Sequence, residues 1–142
     1  MGRAVANALP EEQLNEYLGH RFEALCAEWL VEQAKQGKLP IPATAVSSWW
    51  GTNPDKRAQD DIDVLAADRV SKRLVIGECK YRESFDESAE IDDLESKRGV
   101  VKGFTASHFM LFCKHDVSAA TKKKLAARED WQIVTLKDMY ID

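Results

Sequence analysis

Asp60-Asp61-Ile62-Asp63-Val64-Leu65-Ala66 and, one polar connection later, Leu74-Val75-Ile76-Gly77-Glu78-Cys79-Lys80 are the stretches on which the reading of this chain turns. In both, apolar and β-branched residues alternate with other types, the pattern of a strand. Acidic residues have low strand propensity and are costly beside a core. Side chains two apart on a strand share a face, so Glu78 and Lys80 point the same way, and so do Asp61, Asp63 and Leu65. The connection Asp68-Arg69-Val70-Ser71-Lys72-Arg73 is short enough for a hairpin. If Ala67 pairs with Leu74, Asp63 falls opposite Glu78 on the same face, and two carboxylates and an ammonium meet within one cross-strand contact. A bound divalent cation would explain that concentration of charge. Oxygen ligands of this kind suit Mg²⁺ or Mn²⁺ rather than zinc.

The whole chain has 142 residues, 44% of them hydrophobic, which fits one folded domain with a real core. No apolar run reaches membrane-spanning length, and the first residues lack the charged and apolar regions of a signal peptide. Met1-Gly2-Arg3-Ala4-Val5-Ala6 begins like a myristoylation site but has Ala6 where Ser or Thr is required. The expected location is cytoplasmic, with no membrane partner. Three widely spaced cysteines, Cys26, Cys79 and Cys113, show neither zinc-ligand spacing nor a disulfide framework and are read as reduced thiols. A net charge of −4 and a pI of about 5.4 argue against a strong non-specific grip on nucleic acid by this chain alone. Carboxylates that a cation would offset contribute to that charge.

Working outward, Pro10 to about Gly37 reads as a helix, with Pro10 at its start, Glu11 and Glu12 in its first turn and Gly37 and Pro40 as stops. Leu14, Leu18, Phe22, Leu25 and Trp29 form its expected core stripe. Ala43 to Trp50 reads as a strand and Gly51 to Asp55 as a turn. After the acidic hairpin come a helix from Ser84 to about Gly103, weakened by Gly99, and an apolar strand from Ser107 to Cys113. A helix from Val117 to Arg128, capped by Asp116 or Ser118, a strand from Trp131 to Leu136 and a short helix from Lys137 to Ile141 complete the chain. The order α-β-β-β-α-β-α-β implies an α/β fold with a mixed sheet flanked by helices. The expected organisation is an N-terminal arm, 1–13, and one domain, 14–142.

This arrangement resembles the restriction-endonuclease-like PD-(D/E)XK superfamily, whose core is αβββαβ. Its signature, an acidic residue on the second core strand and acid-x-lysine on the third, matches Asp63 and Glu78-Cys79-Lys80. Many members add a glutamate from the first helix, and Glu23, in Leu18-Gly19-His20-Arg21-Phe22-Glu23, looks like it. Gly19 would let another element approach that helix face. More narrowly, the chain is similar to the domain found C-terminal to a group of archaeal and bacterial AAA-type ATPases, on the strength of Gly-x-x-Phe-Glu, Trp49-Trp50, Ile62-Asp63-Val64 and Gly77-Glu78-Cys79-Lys80. No phosphate-binding loop with Gly-Lys-Ser/Thr occurs here. Two other matches compete. Pro54-Asp55 spells the first half of the signature but lies in an expected turn. Glu95-Ser96-Lys97 spells the second half but lies on an expected helix, where residues two apart do not face each other.

The resemblance implies that Asp63 and Glu78 hold the cation with the backbone carbonyl of Cys79, that Glu23 completes the ligand set directly or through water, and that Lys80 orients water or stabilises developing charge. The plainer reading is a set of cross-strand salt bridges, Asp63 or Glu78 with Lys80. Trp49 and Trp50 could stack on bases, but adjacent strand residues face opposite ways, so at most one belongs to the core. His20, His108 and His115 have no spacing that argues for zinc or a catalytic triad. Lys122-Lys123-Lys124 reads as a solvated face, and Lys97 is the best candidate for an auxiliary phosphate contact. Two functions compete: a Mg²⁺- or Mn²⁺-dependent nuclease acting on DNA, and a non-catalytic nucleic-acid- or protein-interaction module serving an ATPase. The acidic pI leaves the grip on substrate to a partner or an oligomer, a homodimer among them.

Overall fold

The first helix, α1 (Glu11–Lys35), starts directly after Pro10, whose fixed φ suits a helix entry, with Glu11 and Glu12 against the positive end of the dipole. The computed structural model of the chain describes residues 10–140. Pro10 caps the helix, which takes up Glu11, Glu12 and Gln13 of the expected arm; residues 1–9 of that arm, with the Met1–Ala6 motif, lie outside the described residues. Gly37 ends α1 in a left-handed conformation (φ +68°), and the Lys38 N–H bonds the Gln33 carbonyl at 2.9 Å. The buried stripe is Phe22, Cys26 and Leu30, spaced by four. Of the expected stripe only Phe22 is fully buried: Leu18, Leu25 and Trp29 are half-buried beside it, the buried line passing through Cys26 and Leu30 instead of Leu25 and Trp29, and Leu14 is exposed in the helix's first turns.

Strands β1 (Ala45–Asn53), β2 (Ala58–Asp68) and β3 (Arg73–Lys80) form the meander, followed by α2 (Glu87–Ser96), β4 (Thr105–Cys113), α3 (Ala119–Ala126), β5 (Trp131–Thr135) and α4 (Leu136–Met139). The sheet runs β1-β2-β3-β4-β5, with β1–β2 and β2–β3 antiparallel and β3–β4 and β4–β5 parallel. This is the expected α/β fold with a mixed five-stranded sheet. α1 covers one face, where Phe22, Cys26 and Leu30 meet Val64, Val75, Met110 and Phe112. Ile91 and Leu94 of α2 and Leu125 of α3 cover the other, against Ile62, Leu74, Ile76, Phe109 and Leu111. Central strands β3 and β4 are buried on both faces and accordingly read as nearly continuous apolar runs. Among the described residues no helix is long and apolar enough to cross a membrane.

β1 runs on through Gly51, Thr52 and Asn53, residues expected in a turn, because they pair with Asp60, Gln59 and Ala58, and both ends of α2 also differ from expectation for local reasons. α2 begins later, at the Asp86 cap that accepts the Ala89 N–H at 3.0 Å, and stops at Ser96. Lys97 leaves helical conformation there, with its ammonium drawn into the sheet. α3 is capped by Ser118, which accepts from the Thr121 N–H at 3.2 Å. Its first turn is fastened to α2 by Glu87, which accepts from the Thr121 hydroxyl at 2.6 Å.

Candidate functional site

The β2–β3 hairpin pairs in the expected register, Ala67 with Leu74 through Val64 with Gly77, and the pairing stops there. On the other edge of β2, Ser47 pairs with Leu65 and Trp49 with Ile62, so Ser48 alone spans the interval occupied by Asp63 and Val64. That extra residue is a bulge, which bends a strand and re-aims its side chains. Asp63 is one of the two bulged residues. Its Oδ2 crosses to β3 and accepts the backbone N–H of Cys79 at 2.8 Å. Packing shapes the same corner from the β3 side. A Cβ on Gly77 would lie 2.8 Å from the Phe112 ring and 2.9 Å from Val64, so only glycine fits the residue before Glu78.

Asp63 stands close to two further carboxylates, and its charge raises both. Burial, then Asp63, lifts the pKa of Glu23 on α1. Burial, then Asp63, pushes Glu78 up to about 8, against the pull of Lys97 and Lys80. Glu78 Oε2 is buried and, among the described residues, receives no hydrogen bond. The Lys97 ammonium, 3.8 Å away, is in ion-pair range of it but too far to donate. Lys80 Nζ lies 3.6 Å from Glu78 Oε1 and 3.2 Å from Glu90 Oε1. Glu23 turns to His20 at 3.3 Å. The Cys79 thiol is held far above its usual pKa by its contact with Cys26 and by burial, which leaves the backbone as the part of that residue suited to a hard cation. Among the described residues, no three His, Cys, Asp or Glu side chains converge at metal-holding distance. The four expected positions are thus brought to one corner, with Asp63 between Glu23 and Glu78, but not into a closed ligand cage.

A second set of charges, which the sequence reading did not assemble, supports this corner from the α2 side. Lys97 is 3% exposed, and its ammonium donates to the Asp61 carbonyl at 2.6 Å and sits 3.3 Å from both Asp60 Oδ1 and Asp93 Oδ2. It is therefore a buried structural cation rather than the phosphate contact expected of it. Asp60 also accepts from Asn53 at 2.9 Å and Lys56 at 3.2 Å; burial pushes its pKa up, but these bonds outweigh it and hold the carboxyl at about 2. Glu90, which shares Lys80 with Glu78, was likewise missed. An acidic residue in a helix's first turn is ordinary, and only the fold brings it to β3.

The remaining candidates fall elsewhere. Asp55 lies in the β1–β2 turn, where its N–H bonds Asn53 Oδ1 at 3.0 Å. Glu95 pairs with Arg128 at 2.8 Å, away from Lys97. Trp49 packs against the core, while Trp50 is exposed. Among the described residues no element packs against Gly19, contrary to expectation; it borders an open cavity of about 730 Å³ that reaches Glu23, Cys79 and Lys80 between α1 and the end of β3. A second cavity, of about 390 Å³, lies on the other side of Glu23, between α1 and strands β1 and β2, and is lined by Asp61 and Asp63. Glu23 thus borders both cavities, Asp63 the second and Lys80 the first, while Glu78 lies buried behind them.

The profile of the DUF234 family, described as archaeal and bacterial proteins of unknown function, matches residues 3–91, a span that contains Glu23, Asp63, Glu78 and Lys80. The chain belongs to the DUF234 family. The uncharacterized protein MJECL04 of Methanocaldococcus jannaschii is 31% identical to this DUF234 chain over 72 residues, which is 51% of the chain and 15% of that relative. The crystal structure of protein VC1899 from Vibrio cholerae superimposes with a TM-score of 0.63 at 19% identity, over 92% of the DUF234 chain and 33% of the Vibrio chain. At that identity the likeness is one of fold. The DUF234 chain spans only a fraction of both longer proteins.

Proposed function

We propose that this chain is a metal-dependent nuclease-like domain of the PD-(D/E)XK type that hydrolyses DNA phosphodiester bonds. The observation that carries the reading is Glu78, a buried carboxylate with an oxygen that no donor among the described residues satisfies, lifted to about 8 by burial and by neighbouring Asp63. Native structures rarely leave such an atom without a use. A divalent cation would satisfy it and relieve the repulsion among Glu23, Asp63 and Glu78. The donor set is of the right kind, all hard oxygens.

In this reading Asp63, Glu78 and the Cys79 carbonyl hold Mg²⁺ or Mn²⁺, and Glu23 completes the set once it leaves His20. When bound there, the cation supplies Lewis acidity toward water and phosphate and neutralises charge. Lys80, tethered between Glu78 and Glu90, keeps its ammonium beside the carboxylates to orient the attacking water and to stabilise charge on the phosphoryl oxygens. Water oxygen would form a bond to phosphorus and give up a proton to solvent as the bond from phosphorus to O3′ breaks, and O3′ would take a proton from solvent, giving a 5′-phosphate and a 3′-hydroxyl. The test is cleavage of plasmid and single-stranded DNA in Mg²⁺ or Mn²⁺, wild type beside Asp63→Ala and Lys80→Ala. Nicking that both substitutions abolish supports the reading. No cleavage by folded wild type rejects it.

One observation favours a second reading, an interaction module. Asp63 is already bonded to Cys79 and Lys80 to two glutamates, so the corner is partly satisfied as a salt-bridge network. The resemblance to domains C-terminal to AAA-type ATPases gives such a module an ATPase partner, and the short span relative to its longer relatives fits that arrangement.

A further inference from the structure

We propose that the groove beside Trp50 receives an unpaired base of single-stranded DNA next to the phosphodiester at the carboxylates. The inference rests on the nuclease reading and gives it a substrate class. Trp50 is 76% exposed although its neighbour Trp49 packs into the core. It sits on edge strand β1, paired with Asp61, two residues from Asp63. The groove of about 390 Å³ joins Trp50 continuously to Asp63 and Glu23, and a volume near the lower end of the usual range for small-ligand sites fits one nucleotide. Its α1 wall is made by Glu23 at the carboxylate end and by the small side chains of Ala24 and Ala27, and Ser47 and Ser48 add hydroxyls that can both donate to and accept from a base edge.

Indole offers a stacking surface that tolerates any base, the usual device for holding single strands. Bases of an intact duplex are stacked on one another and could not reach it without being extruded. Continuity with the carboxylates favours a nucleotide of the strand being cut over a separate ligand. The acidic wall explains why that strand would bind only with a cation present.

The test is fluorescence anisotropy of a labelled oligothymidylate and of a labelled duplex in Ca²⁺, for wild type, Trp50→Ala and Trp50→Phe, with thermal unfolding to show that the exposed substitutions leave the fold intact. Removing the indole should lower the ratio of single-strand to duplex affinity about tenfold, the size of one lost base stack, and phenylalanine should restore most of it. An unchanged ratio overturns the inference. So does a Trp50→Ala protein that changes from dimer to monomer in sedimentation with the ratio unchanged, which gives the face to a second copy. Cleavage assays separate the two claims. Trp50-dependent single-strand binding with no metal-dependent cleavage removes the nuclease reading and keeps the groove. Cleavage that needs Asp63 but shows no dependence on Trp50 in strand preference keeps the nuclease and removes the groove. A wild type that binds neither oligonucleotide overturns both.

Discussion

Asp63 Oδ2 accepts the backbone N–H of Cys79 at 2.8 Å, where β2 and β3 have stopped pairing. A side chain thus replaces the next backbone bond of the ladder. The exchange places a carboxylate between Glu23 of α1 and Glu78 of β3, and it gives Asp63 a structural duty besides any chemical one. The two duties separate by substitution. Asp63→Ala leaves the Cys79 N–H without its acceptor and should cost about 1–3 kcal/mol. Asp63→Asn keeps an acceptor oxygen and removes repulsion, so it should stay within about 1 kcal/mol of wild type while still losing metal-dependent cleavage. Urea unfolding of the two variants checks this.

Glu78 predicts how stability depends on pH when chelator removes divalent ions. Burial and the Asp63 charge raise its carboxyl from 4.5 to about 8. Between those values the folded chain binds more protons than the unfolded one, so this group's contribution is full below about 4.5 and is lost as pH rises through 8. Glu78→Gln should equal wild type near pH 4.5 and exceed it by roughly 1–4 kcal/mol at pH 9. A constant difference across that range would mean that Glu78 is not the titrating group.

Asp60 predicts the opposite slope at acid pH. Its carboxyl is lowered from 3.8 to about 2, so the stability it contributes is present above 3.8 and lost as pH falls through 2. Asp60→Asn should be about 2 kcal/mol less stable than wild type at pH 6, with the gap closing below pH 2. Guanidinium melts across this window read it directly.

Lys97 tests whether the α2 side of the corner is held by a buried charge. Lys97→Met strands Asp60, the Asp61 carbonyl and Asp93 without their shared cation, and should cost about 3–5 kcal/mol. Lys114→Met, which removes the ion pair with exposed Glu83, should cost less than about 1 kcal/mol. Equal effects would refute the distinction.

The element order and the hairpin register were legible because alternation and a short polar connection leave few choices. Asp63, Glu78 and Lys80 were legible as positions from the strand period and the hairpin register, and Glu23 only through the resemblance to the PD-(D/E)XK superfamily. The bulge at Asp63–Val64 was not: nothing in Ile62-Asp63-Val64 distinguishes a regular strand from one whose partner is a residue short, so Asp63 was expected flatly opposite Glu78 rather than bonded to Cys79. Lys97 was misread because the helix was expected to run on to about Gly103, while it ends one residue before Lys97 and turns the ammonium inward. The α1 stripe was misread at Leu14, which is exposed, and by one residue at Leu25 and Trp29, because periodicity fixes neither which turns of a long helix meet the sheet nor which of two adjacent apolar residues faces it.

The central claim is that the Asp63–Glu78 corner holds a divalent cation. Calorimetric titration of Mn²⁺ into wild type and into the Asp63→Asn, Glu78→Gln double variant tests it most directly. The account predicts saturable uptake of Mn²⁺ by wild type, proton release from Glu78 that grows as buffer pH is lowered below 8, and no uptake by the double variant. Wild type that takes up no Mn²⁺ at millimolar concentration, or equal uptake by both proteins, would contradict it.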